Sequence, residues 1–341
     1  MTDSRQTAWS AALRSCTELQ PVPRGTLAGD TLVERPPFSL IRYRPPASLP
    51  PPHRRPLLLV YSLVNRPDLL DLAPGRSLAF DLLAAGFPVY QVDWGYPLDA
   101  DRGLDLEDYV PDFLGRAVDA TLVDAGVDTL VLAGVCQGGT LALCHAAVRP
   151  RGISHLVTLA TPVDFHVEPN PLSQLALTLP PPGRRRDNVP GDLLSAAFAA
   201  LKPADLMVRR YRALPDLADD PARLEEFLRM EAWMYDCPDQ PARMFHRFVA
   251  DFYQDNRLAD GTLVLDGRAV SLHSLKMPVL NILARDDHLV PAPAAKALGR
   301  FIPRRRYREC VLPGGHLGVF LSSRNRRTYL DRLVELLETD L

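Results

Sequence analysis

The chain lacks the features that would embed it in a membrane, export it or hold it on nucleic acid. No stretch approaches about 18 consecutive apolar residues, so no transmembrane helix is expected. The opening Met1-Thr-Asp-Ser-Arg-Gln-Thr-Ala-Trp9 has no apolar signal core, and export is not expected either. Cysteine is sparse. The five residues (16, 136, 144, 237 and 310) are odd in number and show no metal-type pairing. Reduced thiols in a cytoplasmic protein are the simplest account. A formal net charge of −2 leaves no basic field to attract nucleic acid. Arginine greatly outnumbers lysine, yet the runs Arg184–Arg186 and Arg304–Arg306 are short. They read as solvated faces, with the phosphates of a nucleotide-bearing ligand as the alternative. No internal repeat and no low-complexity tail is found.

What is present is an ordinary globular composition. With 341 residues, 47% hydrophobic and 23% charged, the chain can bury one large core or one core carrying an insertion. Its 33 prolines are roughly double average usage. They concentrate in connectors such as Arg44–His53 and Leu179–Gly183, where they stiffen loops.

Short apolar runs alternate with helical spacing. Strands are expected at 57–62, 87–94, 129–133, 155–160, 278–284 and 307–312, with helices near 67–85, 107–126, 140–147, 292–300 and 325–338. Strands that are nearly continuous in apolar residues point to a mostly parallel sheet covered on both faces. Between Thr161 and Lys276 the rhythm breaks into helical patterns at 192–201, 224–235 and 242–253. The expected organisation is an α/β core over 1–163 and 277–341, with residues 1–35 peripheral. Residues 164–276 then form a helical cap inserted over the active-site end.

The chemistry centres on Gly134-Val135-Cys136-Gln137-Gly138. A strand precedes it and a helix follows, the context of a nucleophile elbow with cysteine in the usual place of serine. Two later strand ends carry Arg285-Asp286-Asp287-His288 and Pro313-Gly-Gly-His316. The order nucleophile, acid, histidine is that of α/β-hydrolases, and ligands bind at carboxyl ends of strands in such sheets. His316 is positioned to take the Cys136 proton while a carboxylate orients the imidazole. Pattern alone does not separate Asp286 from Asp287. Cys144 and Cys310 read as inert core residues, and His145, His155, His166, His246 and His273 as structural or surface residues. The backbone N–H of Gln137 is the first expected oxyanion donor and that of Val64, after an early strand, the second. The Gln137 side chain is not required to take part.

A set of segments resembles one family, the polyhydroxyalkanoate synthases, and among them the short catalytic subunit of the two-component class III enzymes. They are Tyr61-Ser-Leu-Val-Asn-Arg-Pro67, Asp93-Trp-Gly-Tyr-Pro97, Gly134-Val-Cys-Gln-Gly-Gly139, Thr161-Pro-Val-Asp-Phe165, Phe227-Leu-Arg-Met-Glu-Ala-Trp233, Asp251-Phe-Tyr-Gln254, Asp287-His-Leu-Val-Pro291 and Pro313-Gly-Gly-His316. The resemblance implies an α/β-hydrolase fold, Cys136 as nucleophile, His316 as general base and Asp287 as the triad acid. His288 becomes a neighbouring site residue. It also implies polymerisation of an (R)-3-hydroxyacyl-CoA, such as the 3-hydroxybutyryl thioester, through an acyl-cysteine. Coenzyme A enters as part of the substrate and no cofactor is expected. Single-component relatives carry a long N-terminal domain absent from this sequence. The resemblance therefore implies a second subunit, of the PhaE kind in class III or the PhaR kind in class IV. A homodimer or hetero-oligomer at cytoplasmic polyester granules is the matching expectation. The competing readings are a cysteine-nucleophile thioesterase of the same fold and a non-catalytic granule protein.

Overall fold

The computed structural model describes residues 21–179, 187–201, 210–212, 214–217 and 220–339. Eight strands form its sheet: β1 (Gly29–Arg35), β2 (Phe38–Tyr43), β3 (Leu57–Val60), β4 (Val89–Asp93), β5 (Leu130–Val135), β6 (Ile153–Leu159), β7 (Val279–Ala284) and β8 (Tyr307–Leu312). Their order across the sheet is β1-β2-β4-β3-β5-β6-β7-β8. β2 runs antiparallel to both neighbours, and every other adjacent pair is parallel.

Alternation along the central strands divides the core into two layers. Leu58, Val60 and Leu132 face α2 (Leu114–Ala125) and α3 (Gln137–Val148). Leu57, Leu59, Val131 and Ala133 face α1 (Leu78–Ala84) and α9 (Ser323–Thr339). Local signals set the helix ends. Ser77 Oγ accepts the Phe80 N–H at 2.9 Å to open α1, and Gly126 closes α2 with φ 65°.

Two expectations are corrected. Residues 67–85 are not one helix: a 3₁₀ turn (Pro67–Leu70) leads into a small ribbon, Asp71–Ala73 against Arg76–Ser77, before α1. Pro74-Gly75 makes that turn, with Gly75 at φ 76°, a position that suits glycine after proline. The segment before residue 35 is not wholly peripheral, since β1 is an edge strand of the main sheet. Every β1 residue is exposed or half-buried and the pairing shifts between Thr31 and Val33, so little alternation marked it.

The insertion carries α4 (Pro171–Leu177), α5 (Gly191–Ala200), α6 (Pro221–Met234), α7 (Ala242–Phe248) and a π turn at Val249–Gln254. A short ribbon, Val264–Leu265 with Arg268–Ala269, leads on to β7, and α8 (Ala292–Lys296) follows that strand. Phe165, Met244, Phe248 and Phe252 pack into the layer that holds α2 and α3, so the second half of the insertion shares the main core. Leu214, Leu224 and Leu228 form a separate small cluster around α6.

Candidate active site

β5 ends at Val135, and the chain reverses at Cys136 with φ 52° and ψ −123°. A positive φ at a non-glycine residue is strained and persists only where its surroundings enforce it. Close packing enforces it here. A Cβ on Gly138 would lie 2.3 Å from the carbonyl oxygens of Val60 and Tyr61, and one on Gly134 would lie 2.3 Å from Gly139 Cα. The elbow is thus pressed against the end of β3, whose Val60 already pairs with Gly134. The first turn of α3 leaves the Gln137 N–H without a hydrogen bond among the described residues, as helix geometry requires of its leading donors.

The other two strand ends are neighbours by register. Ala284 of β7 pairs with Leu312 of β8, so Arg285–Asp287 and Pro313–His316 leave the sheet side by side. The Asp286 N–H donates to Gly314 O at 3.0 Å, and the Gly314 N–H to Asp286 Oδ2 at 3.3 Å. Asp287 does something different. Its Oδ2 lies 2.7 Å from His316 Nδ1, while its Oδ1 accepts the N–H groups of Leu289 and Val290 at 2.9 Å each. The ambiguity between the two aspartates is resolved by contact: Asp287 meets the imidazole and Asp286 ties the two loops together.

Asp287 and His316 are both buried, at 7% and 8% exposure. Burial works against the Asp287 carboxylate, but the His316 charge and hydrogen bond, with two backbone N–H groups, hold its pKa below the ordinary 3.8. Burial likewise opposes an imidazolium at His316. The Asp287 charge, the Cys136 charge and the hydrogen bond to Asp287 outweigh it and raise the His316 pKa well above 6.5. His316 is thus hydrogen-bonded to Asp287 and feels the neighbouring Cys136, which brings the three residues together at one site. The His316 ring also packs edge-on against Phe320, with centroids 5.7 Å apart. His288 is half-buried directly after Asp287. Burial pushes up the thiols of Cys144, Cys237 and Cys310, and the phenols of Tyr61 and Tyr253 near Cys136. His145 and His155 are buried, His246 is half-buried, and His166 and His273 are exposed.

The loop after β3 differs from expectation. The Val64 N–H is engaged, donating to Ser62 Oγ at 3.0 Å. Ser62 Oγ donates in turn to Gln137 Oε1 at 3.2 Å, and the Leu63 N–H donates to the same oxygen at 3.0 Å. The Gln137 side chain, which the oxyanion site did not require, bridges the elbow and this loop. The insertion grips the loop from its other side. Asn65, at φ 60°, donates through Nδ2 to Trp233 O (3.1 Å) and Met234 O (3.3 Å) at the end of α6. Trp233 Nε1 donates to Arg66 O at 2.8 Å, and Gln240 Nε2 to Leu63 O at 2.7 Å.

Sequence reasoning also missed Asn325 on α9. Its Nδ2 donates to Pro313 O at 3.1 Å and Gly318 O at 2.9 Å, clamping both ends of the loop that carries His316. No motif marks such a residue, because its partners are backbone carbonyls. Arg304 and Arg305 are exposed, whereas Arg184–Arg186 and Cys16 lie outside the described residues. Among the described residues no helix is long and apolar enough to cross a membrane.

Sheet order, elbow and acid-histidine placement define an α/β-hydrolase fold, and the family described by that fold matches residues 70–322. Solved structures share it at low identity. A membrane phospholipase A covers 98% of this chain and 95% of its own, at 13% identity and TM-score 0.52. The naproxen esterase of Bacillus subtilis covers 96% of each, at 15% identity and TM-score 0.50. A narrower kinship lies in sequence. The chain is 42% identical over 294 residues to the poly(3-hydroxyalkanoate) polymerase subunit PhaC of Allochromatium vinosum, covering 84% of this chain and 82% of that protein. The namesake subunit of a Synechocystis species is 41% identical over 298 residues, covering 84% and 78%. The chain belongs to the poly(3-hydroxyalkanoate) polymerase subunit PhaC family.

Proposed function

We propose that this chain is the catalytic subunit of a polyhydroxyalkanoate synthase and polymerises (R)-3-hydroxyacyl-CoA, with Cys136, His316 and Asp287 as its triad. The observation that carries the reading is the meeting of Cys136, His316 and Asp287 at three strand ends, in a chain of the PhaC family. Cys136 Sγ attacks the thioester carbonyl with its proton held on His316. Asp287 holds the imidazole tautomer and balances the imidazolium. The tetrahedral oxyanion is held by the free Gln137 N–H. Collapse breaks the bond to the coenzyme A sulfur, which leaves with the proton, and the acyl group remains on Cys136 as a thioester. The 3-hydroxyl of a second hydroxyacyl unit then gives its proton to His316 and attacks a thioester carbonyl. An ester forms and a thiol is released.

A thiol suits this task because exchanging one thioester for another keeps the acyl group activated for the hydroxyl. Water competes with that hydroxyl, so the site must be covered. The insertion at 164–276 serves as the cover, supported by the grip of Trp233, Met234 and Gln240 on the loop beside the elbow. A second synthase subunit, assembly into a dimer or hetero-oligomer, and attachment to polyester granules belong to the same proposal.

The test is the product. Purified chain with a PhaE-type or PhaR-type subunit is given 3-hydroxybutyryl-CoA, and coenzyme A, polymer and free acid are measured. Polymer with an acyl group mapped to Cys136 is the expected result. Coenzyme A release with only soluble hydroxy acid would make the chain a thioesterase.

A further inference from the structure

We propose that the side chain of Gln137 is a positioning residue that joins the two halves of the oxyanion site, a role that rests on the acyl-transfer reading above. Its backbone N–H is the donor at the elbow. Its Oε1 accepts the Leu63 N–H at 3.0 Å and the Ser62 hydroxyl at 3.2 Å, on the loop that supplies the opposite wall. One residue thereby ties the nucleophile's own turn to the segment facing it.

The chemistry of the pair selects an amide oxygen. Leu63 N–H is a donor only, so the group it meets must accept, and Ser62 spends its proton on the same atom. A carbonyl oxygen with two lone pairs serves both. Ser62 is 6% exposed and Leu63 3%, so without this acceptor a buried N–H would stand unpaired. The loop would then turn to find another partner, and the peptide planes on either side of Val64 would turn with it.

The Val64 N–H is parked within the same chain of bonds. It donates to the neutral Ser62 oxygen at 3.0 Å. An arriving oxyanion offers a charge-assisted bond roughly twice as strong and takes the donor over. Ser62 remains tethered through its proton to Gln137, so the loop holds its place during the exchange. The second donor is thus set by Gln137 and Ser62 together and released only when negative charge develops.

The experiment compares two reactions of Cys136 in Gln137→Met, Ser62→Ala and the double variant. Acylation by 3-hydroxybutyryl-CoA, read as first-turnover coenzyme A release, passes through an oxyanion. Alkylation by iodoacetamide, read by mass spectrometry of the Cys136 peptide, does not. Loss of a full oxyanion donor costs about 10²–10³-fold, so mispositioning one is expected to slow acylation about 10-fold or more. KM stays within about twofold and alkylation keeps its wild-type rate. The double variant matches the slower single variant, because both substitutions break one unit. Equal losses in acylation and alkylation would place the effect on the thiol or the fold and overturn the inference, as would unchanged acylation or additive losses. If Gln137→Met does not fold, Ser62→Ala, which removes one hydroxyl, decides the question alone. Wild-type protein that never forms acyl-Cys136 would overturn the acyl-transfer reading itself. Normal wild-type acylation beside unaffected variants would overturn this inference only.

Discussion

His316 Nδ1 stands 2.7 Å from Asp287 Oδ2, while the adjacent Asp286 directs its carboxylate to the Gly314 N–H. Two neighbouring aspartates thus hold separate posts. Asp287→Asn is expected to cut coenzyme A release by roughly 10²-fold or more, since an amide there can favour the wrong imidazole tautomer. Asp286→Asn keeps an oxygen for Gly314 and should lose no more than a few fold. Steady-state rates of the two variants, measured side by side, check the assignment.

The same pair makes a pH prediction. Asp287 titrates below 3.8, so its contribution to stability is complete above that value and is lost as pH falls through the lowered one. His316 titrates well above 6.5, so its contribution is complete below 6.5 and is lost as pH rises through the raised value. The melting-temperature gap between wild type and Asp287→Asn should therefore be widest between these limits and shrink on both sides. A gap that does not change with pH would contradict the ion pair.

The thiols should divide sharply. Cys136→Ser is expected to lose most coenzyme A release, because an alcohol is a far weaker nucleophile beside the same base. Cys144 sits at 0% exposure inside α3, its thiol pushed up by burial. Cys144→Ala should keep near-wild-type kinetics and lose only stability. Acyl mapping of both variants after a single turnover reads the difference.

Asn325 should matter without touching the reacting atoms. Asn325→Ala leaves the carbonyls of Pro313 and Gly318 without their shared donor, a loss of about 1–3 kcal/mol in urea unfolding. The freed His316 loop should also lower kcat more than it raises KM. Equal stability and kinetics would show the clamp to be idle.

Acid should weaken the fold through a residue remote from the chemistry. Burial pushes the pKa of His145 down to about 4, and its Nδ1 pairs with Val110 O at 2.8 Å. Between the ordinary 6.5 and about 4 the unfolded chain binds the extra proton, so stability falls as pH falls through that window. The full effect is on the order of 3 kcal/mol. Urea unfolding at pH 7 and pH 4.5 should show this slope in wild type and a shallower one in His145→Asn.

Much of this molecule was legible before any fold was drawn. β5 and β7 stood out because buried parallel strands are nearly continuous apolar runs. The hairpin β1–β2 was not legible, since an edge strand with exposed and half-buried side chains carries little pattern. The break at Pro74-Gly75 was hidden inside a segment whose apolar spacing suited a helix.

The sequence alone determined the chemical parts and their order: a thiol in a glycine-flanked turn, two carboxylates, a histidine in a glycine loop. These are local features, each dictated by the residue types its own turn demands. Tertiary structure decided which parts meet. Strand register set Asp287, not Asp286, against His316, and the pressing of the elbow onto β3 turned Gln137 into a bridge to Ser62 and Leu63. Contacts between segments 29 to 75 positions apart depend on packing across the sheet, and no local pattern encodes them.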